Sequence, residues 1–365
     1  MNRIASRLAP AFLAFVLVAG LGAADPPPPT NPSSRAEGDF LVHDVRFADG
    51  GTLGEVRLHY RTLGAPVRDG HGRVTNAVLV LHGTGGSGAP FLSPSFGGRL
   101  FGPGQTLDAS RYFIVIPDSV GHGGSSKPSD GLRGKFPRYT YDDMVELQRR
   151  LLVEKLGVDH LRLVMGTSMG GMETWVWGTS SPGFMDALFP LAALPVAIGG
   201  RNRIWRKLAM DSIRDDPGWK NGDYDAQPYG LRSALSVMLL VIESPWHWQT
   251  EAPNAAAADA AVETWMKDRL GRSDANDLLW ALDASRTYDP EPALGRVTAP
   301  VAAVNFADDV INPPELKLLE RGMAKVKNGK AVVVPLGETT HGHVTHSQPD
   351  IWIPWLADLL AATAK

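Results

Sequence analysis

The chain carries two successive patterns of apolar residues. Apolar and polar positions alternate from residue 40 to residue 63 around Asp49-Gly50-Gly51, and alternation about such a turn predicts a β-hairpin. Farther along, the apolar residues form short, nearly continuous segments, at residues 77–81, 112–116, 161–165, 300–306 and 331–335. Segments of this kind are typical of parallel strands that are buried on both faces.

Helical patterns separate most of these segments. The clearest covers residues 141–156, where Met144, Leu147 and Leu151 recur at helical spacing and Gly157 follows as a stop signal. Strands that alternate with helices predict an α/β fold with a mostly parallel, doubly wound sheet. Such sheets carry their chemistry beyond the carboxyl ends of the strands, so the candidate residues are sought there.

The alternation lapses between residues 192 and 288. Six tryptophans are concentrated in this segment: Trp205, Trp219, Trp246, Trp248, Trp265 and Trp280. We interpret residues 192–288 as a helical lid inserted into a core that comprises residues 38–191 and 289–365. The tryptophans are interpreted mainly as packing residues, because large aromatic side chains dominate the burial of apolar surface.

The N-terminal segment has the order of a secretory signal. Arg3 and Arg7 precede an apolar stretch from residue 8 to about residue 21, and Gly22-Ala23-Ala24 follows. This order predicts a signal peptide over residues 1–24, a Pro-rich linker over residues 25–37, and a secreted or periplasmic protein without stable membrane insertion after processing. A retained membrane anchor is the alternative, although the stretch falls short of the ~20 residues that span a bilayer.

Composition narrows the possible chemistry. A net charge of −3, with 21% charged and 44% hydrophobic residues, is typical of a globular protein and offers no basic excess for nucleic acid. The sequence contains no cysteine, which excludes disulfides, thiolate metal sites and a cysteine nucleophile. Covalent catalysis would therefore use another side chain.

Ser168 lies in Gly166-Thr167-Ser168-Met169-Gly170, directly after the apolar segment 161–165 and before a helical pattern. A strand, a tight turn and a helix are the context of a nucleophile elbow, in which glycines let strand and helix pass closely. A phosphate-binding turn is the alternative, but the Gly-Lys-Ser/Thr of a P-loop is missing. Ser168 is therefore the candidate nucleophile.

A serine hydroxyl needs a base and a carboxylate to activate it, in the chain order serine, acid, histidine for this type of fold. Asp308 and Asp309 follow the segment 300–306, and His341 and His343 follow the segment 331–335. From the residues alone, the choice within each pair stays open. A metal site formed by His341, His343 and His346 is less favoured, because no carboxylate at familiar ligand spacing accompanies them.

The oxyanion of an acyl-transfer intermediate needs backbone N–H donors. Leu81-His82-Gly83-Thr84-Gly85-Gly86, directly after the segment 77–81, is suited to offer one donor at Thr84, and Met169 after the nucleophile is suited to offer the other. His82 is interpreted as structural.

With these residues in place, the sequence resembles the homoserine O-acetyltransferase family of α/β-hydrolase enzymes from about residue 60 to residue 352. Matching segments occur in one order at residues 76–82, 143–145, 166–172, 216–224, 274–276 and 309–314. The resemblance implies an acyl-serine intermediate, a triad of Ser168, Asp309 and His343, and a substrate contact from Tyr224. It implies no metal or organic cofactor and a small-molecule acyl substrate.

Two departures from the family pattern bear on the substrate. Family members carry a lid arginine that binds the substrate carboxylate, where this chain has Met210, and an aspartate after the catalytic histidine, where it has Val344. Losing a charge-assisted contact costs roughly 1.5 to 3 kcal/mol, which argues against homoserine. Export also separates the protein from cytoplasmic acetyl-CoA, so an acyl-ester hydrolase is favoured over an acyltransferase, with a non-catalytic binding protein as a further alternative.

Overall fold

The computed structural model describes residues 35–364, and an eight-stranded sheet forms their centre. The strands lie in the order β1-β2-β4-β3-β5-β6-β7-β8. Their bounds are β1 Arg35–Arg46, β2 Thr52–Leu63, β3 Ala77–Leu81, β4 Phe113–Pro117, β5 Leu163–Thr167, β6 Leu188–Leu191, β7 Val301–Phe306 and β8 Gly329–Val334. The strands β1 and β2 pair antiparallel, as do β2 and β4, and the pairs from β4 to β8 are parallel.

Helices cover both faces of this sheet. The α-helices of the described residues, including those of the lid segment, have the bounds α1 Gly97–Leu100, α2 Tyr141–Arg150, α3 Met169–Ser180, α4 Gly200–Arg214, α5 Tyr229–Ile242, α6 Pro245–Glu251, α7 Ala255–Leu270, α8 Ala275–Asp283, α9 Leu318–Met323 and α10 Pro349–Ala362. On one face, Leu79 and Leu81 pack with side chains of α2 and α3, such as Met144 and Trp175. On the other face, Val78 and Val80 pack in a second cluster with α1 and α10. The expected doubly wound α/β fold is confirmed.

The burial pattern explains why the central strands read as continuous apolar segments. All residues of β3, β4, β5, β6 and β7 are buried, because helices cover both faces. In β1 and β2 the burial alternates, since one face of the hairpin is open to solvent. The hairpin turns at Gly50, whose positive φ of 93° suits glycine, and Phe47 donates to the Gly51 carbonyl at 2.8 Å.

Five helices, α4 to α8, lie between β6 and β7. Their apolar faces form a third cluster around side chains such as Met210, Leu231 and Leu279, and Ile311 from the loop after β7 joins it. The lid segment thus has its own buried cluster and meets the core next to the carboxyl ends of the strands.

Two details differ from the sequence expectations. The strand β6 was not expected, and it lies at residues 188–191 just before the lid segment. The linker expected to reach residue 37 is wrong at its end, because Arg35, Ala36 and Glu37 already pair with β2. Glu37 also accepts a hydrogen bond from His59 at 2.7 Å. The expected signal peptide and the remainder of the linker lie outside the described residues.

Among residues 35–364, no helix combines the length and apolar character that a membrane span requires.

Candidate active site

Ser168 occupies a strained turn between β5 and α3. Its φ of 56° and ψ of −112° lie in a region that side chains other than glycine rarely adopt. The turn needs glycines on both sides: a Cβ on Gly166 would lie 2.2 Å from the Gly170 carbonyl oxygen, and a Cβ on Gly170 would lie 2.2 Å from the Leu81 carbonyl oxygen. The Gly-x-Ser-x-Gly pattern is thus the sterically permitted way to present this hydroxyl.

Ser168, His343 and Asp309 form one hydrogen-bonded chain. The Ser168 Oγ lies 2.8 Å from His343 Nε2, and His343 Nδ1 lies 2.8 Å from Asp309 Oδ2. Because an ionised carboxylate only accepts hydrogen bonds, Nδ1 carries the hydrogen and Nε2 is left to accept the serine proton. This arrangement can raise the nucleophilicity of a hydroxyl.

The surroundings of Asp309 favour its ionised form. Burial alone would raise the pKa of this carboxyl, but the charge and hydrogen bond of His343 and two hydrogen bonds from Asn312 outweigh burial and lower the pKa. The Ile311 and Asn312 amides donate to Oδ1 at 2.8 and 3.1 Å, and the Asn312 side chain donates to Oδ2 at 3.0 Å. Asn312 is itself held by the Ala192 carbonyl at 2.9 Å.

The sequence left Asp308 open as an alternative to Asp309, and His341 as an alternative to His343. In the structure both residues make contacts outside the chain of hydrogen bonds at Ser168. Asp308 accepts a hydrogen bond from the Gly342 amide at 2.9 Å and therefore supports the loop that carries His343. His341 stacks on His247 of α6, with ring centroids 3.9 Å apart and planes 20° apart. Gly342 has a φ of 65°, and a Cβ there would lie 2.6 Å from the Ser244 amide nitrogen. The loop that carries His341 and His343, the histidine loop, thus packs directly against the lid.

Ser168 opens into a cavity of about 390 Å³ between core and lid. Thr84 lines it, and Met169 begins α3 directly after Ser168. Among the described residues, neither backbone amide donates a hydrogen bond to another protein group, so both are free to serve a ligand. The arrangement is compatible with a pair of donors beside the nucleophile, as the sequence predicted.

Tyr224 does not line this cavity, which corrects the expectation of a substrate contact. Its hydroxyl donates to Asp274 at 2.8 Å and accepts from the Asn276 amide at 3.0 Å, so it is engaged in joining two segments of the lid. Met210 is fully buried within the lid cluster, whereas Val344 lines the cavity. Neither offers a charge to a ligand.

Of the six lid tryptophans, Trp205 and Trp265 line the cavity. Trp219 and Trp280 donate to Asn276 and to the Phe136 carbonyl, at 2.7 and 2.9 Å, and so act in packing and anchoring. Trp205 and Trp265 are therefore exceptions to the expectation that the lid tryptophans are mainly packing residues.

A buried polar group behind the elbow escaped the sequence analysis. Glu173 of α3 is fully buried, and it accepts hydrogen bonds from Gln148 and from Ser119. Burial raises the pKa of Glu173 to about 8, although both hydrogen bonds act in the opposite direction. His82 is also buried and structural: its Nε2 accepts from the Ser119 amide at 3.1 Å, and burial lowers its pKa.

One group of described side chains could hold a metal ion. Glu243, His247 and His341 each offer a ligand atom, and these atoms lie within 4.8 Å of one another. His343 is not part of it, since both its ring nitrogens are engaged by Ser168 and Asp309.

The strand order, the elbow and the cavity at the carboxyl ends of the strands define an α/β-hydrolase. A family model described as the alpha/beta hydrolase fold matches residues 76–228. A homoserine O-acetyltransferase from Clavibacter michiganensis is 31% identical over 347 residues, covering 83% of this chain and 86% of that protein. The chain belongs to the homoserine O-acetyltransferase-like family of α/β-hydrolase enzymes, as the sequence motifs indicated.

Solved structures share the fold at lower identity. A homoserine O-acetyltransferase from Bacillus anthracis superimposes with a TM-score of 0.78 at 21% identity, covering 89% of this chain and 97% of that one. An acetylester hydrolase from Corynebacterium glutamicum superimposes with a TM-score of 0.75 at 21% identity, covering 89% and 96%. At this identity the likeness concerns the fold alone, which serves both a transferase and an esterase.

Proposed function

We propose that the protein is an exported serine hydrolase that cleaves acyl esters through an acyl-serine intermediate. The observation that carries the proposal is the chain of two 2.8 Å hydrogen bonds that joins Ser168, His343 and Asp309. Action on acyl groups is supported by the relatives, which include acetyltransferases and, at the level of the fold, an acetylester hydrolase.

In the first half of the reaction, Ser168 Oγ attacks the ester carbonyl while His343 Nε2 accepts its proton. Asp309 keeps the imidazole in the required tautomer and stabilises the imidazolium that forms. The oxyanion of the tetrahedral intermediate is stabilised by the amides of Thr84 and Met169. When the intermediate collapses, His343 returns the proton to the departing alcohol and the acyl group stays on Ser168.

In the second half, His343 accepts a proton from water, and the hydroxide attacks the acyl carbon. When the second tetrahedral intermediate collapses, the bond between the acyl carbon and Ser168 Oγ breaks, His343 returns the proton to Oγ, and the carboxylic acid leaves. Water is favoured as the acceptor because Met210 and Val344 stand at the two positions where the family pattern has charged anchors for an amino-acid acceptor. The signal-like order of residues 3–24 supports a location away from cytoplasmic acetyl-CoA.

An acyltransferase with the same acyl-enzyme is the second candidate. Its support is the 31% identity to a homoserine O-acetyltransferase over most of both chains. The two functions share the first half of the reaction and differ only in what discharges the serine.

Fluorophosphonate labelling followed by peptide mapping tests the nucleophile, and the label should lie on Ser168. Ser168→Ala should lower the turnover of short acyl esters by on the order of 10⁴-fold or more, since the residual rate comes from binding and the oxyanion site. An unchanged rate would refute the hydrolase proposal. Discharge of the acyl-enzyme by water, alcohols and amino acids, measured in parallel, separates hydrolase from transferase.

A further inference from the structure

A group of two histidines and a glutamate lies where α6 of the lid meets the histidine loop. Glu243 directly precedes Ser244, the N-cap residue of α6, and His247 lies in the first turn of that helix. His341 comes from the histidine loop, and one ligand atom from each of the three side chains lies within 4.8 Å of the other two. The carboxylate that the sequence did not place beside His341 is thus supplied by the lid.

The oxygen atoms of this group lack donors. Oε2 of Glu243 lies 3.8 Å from Nε2 of His247, and the side chains of both residues are only 18% exposed. Among residues 35–364, Glu243 Oε2 is buried and has no hydrogen-bond partner, and the same holds for Oδ1 of the neighbouring Asp308. Because a buried carboxylate oxygen is normally satisfied by a donor or by a cation, the surroundings of these two oxygens suit a positive charge.

The backbone on both sides of the group is fixed by hydrogen bonds. On α6, the Ser244 hydroxyl accepts from the His247 amide at 3.1 Å. In the histidine loop, the Thr345 hydroxyl accepts from the His341 amide at 2.7 Å. The two rings then stack with centroids 3.9 Å apart. Two segments far apart in the sequence therefore present their imidazoles from defined positions, which reduces the ordering that a bound ion requires.

The charges and the donor atoms of the group favour one kind of ion. Asp308 and Glu251 act electrostatically on His341, and Arg269 acts on Glu243, so three carboxylates stand against one guanidinium. Two imidazole nitrogens and one carboxylate oxygen are a donor set for Zn²⁺, whereas Mg²⁺ and Ca²⁺ prefer oxygen atoms alone. Zn²⁺ holds such ligands at about 2.0 to 2.2 Å, which places them roughly 3.4 Å apart in a tetrahedron. Small side-chain rotations would bring the three ligand atoms to that separation.

We propose that Glu243, His247 and His341 bind one Zn²⁺ ion, which links α6 of the lid to the histidine loop. None of the three residues lines the cavity at Ser168, so the ion stabilises the structure and takes no part in the reaction. Three protein ligands leave a fourth position for water, and the ion can therefore exchange. The proposal goes beyond the proposed function and does not depend on it.

Binding is measured by calorimetry on the untagged protein after dialysis against a chelator. Titration with ZnCl₂ should show one ion per chain with a Kd below about 10 μM, and millimolar MgCl₂ should not compete. His247→Gln and His341→Gln should each weaken binding by at least about tenfold, because each removes a ligand. Two control variants should leave the Kd unchanged: Gln249→Ala, an exposed change on α6, and His43→Gln, which removes an exposed histidine of β1.

Thermal unfolding and hydrogen exchange test the link between the two segments. At a free Zn²⁺ concentration of about 100 times Kd, the Tm of the wild type should rise by roughly 3 to 4 °C, since the ion binds the folded state. Amide exchange should slow in α6 and in the histidine loop. In His247→Gln the same Zn²⁺ concentration should leave both the Tm and the exchange rates unchanged.

Crystals of the wild type grown with ZnCl₂ locate the ion directly. An anomalous peak at the zinc edge should lie within bonding distance of Glu243, His247 and His341. The proposal is overturned if the peak lies elsewhere, or if the wild type binds Zn²⁺ with a Kd above about 10 μM. Both results come from the unmodified chain, so a variant that fails to fold does not affect them. Unchanged Zn²⁺ affinity in folded His247→Gln and His341→Gln would overturn the proposal as well.

Discussion

Two adjacent aspartates on one loop have different tasks because their carboxylates point in different directions. Asp309 faces His343 and is fixed by three hydrogen bonds from Ile311 and Asn312. Asp308 turns to the amide of Gly342, one residue before the histidine. The first can orient the imidazole directly, and the second can act only through the loop.

Because the two aspartates make different contacts, an Asp→Asn substitution should lower kcat/KM by different amounts at positions 308 and 309. Asp309→Asn should lower kcat/KM by on the order of 10⁴-fold, because an amide at this position favours the wrong tautomer of His343. Asp308→Asn should lower it by less than about tenfold, since an amide oxygen can still accept from the Gly342 amide. Steady-state kinetics on one short ester checks both, and equal losses would contradict the assignment of Asp309 as the acid.

At the level of secondary-structure elements, helix α3 follows the nucleophile Ser168 and also carries a buried acid, Glu173. The same helix that begins after Ser168 carries Glu173 into the core, where burial raises its pKa to about 8. In an unfolded chain this carboxyl has its usual pKa near 4.5. Between these values the folded state holds one more proton than the unfolded state, so the free energy of unfolding falls as the pH rises.

Glu173→Gln removes this titration and keeps the shape of the side chain. Its free energy of unfolding should decline less between about pH 4.5 and 8 and should exceed that of the wild type above pH 8 by more than about 1 kcal/mol. Urea unfolding at several pH values measures this. Glu146→Gln, on the exposed side of α2, serves as the control, and parallel curves for Glu173→Gln and the wild type would contradict the prediction.

The strands and the order of the site residues could be predicted from the sequence because burial on both faces leaves uninterrupted apolar segments. The strand β6 escaped because it has only four residues, one of them Pro190, and lies beside the lid. The choice between Asp308 and Asp309 depends on where a loop directs each carboxylate. The direction that a loop gives to a side chain cannot be read from residue order.

At the scale of the whole molecule, Asp283 at the end of α8 connects lid and core. Its carboxylate, 9% exposed, lies 2.7 Å from Arg138 of the core, 3.2 Å from Arg286 and 3.5 Å from Arg214 of α4. A nearly buried carboxylate among three arginines holds these segments together, because removing it leaves their charges facing one another.

Asp283→Asn should therefore lower the free energy of unfolding by on the order of 1–3 kcal/mol and speed amide exchange in α4 and α8. Asp211→Asn, which breaks only an i,i+4 pair with Lys207 on the lid surface, should change stability by less than about 0.5 kcal/mol. Denaturant unfolding and hydrogen exchange measure both variants. Equal exchange rates in wild type and Asp283→Asn would show that the lid is held by other contacts.

The loop that carries His341 and His343 packs directly on the lid. His341 stacks on His247, and Gly342 lies so close to Ser244 that a side chain would not fit. The lid residues His247 and Ser244 thus form part of the surface that fixes the loop of His343. A substitution that changes the packing of α6 is therefore expected to alter the position of the catalytic base as well as the shape of the lid.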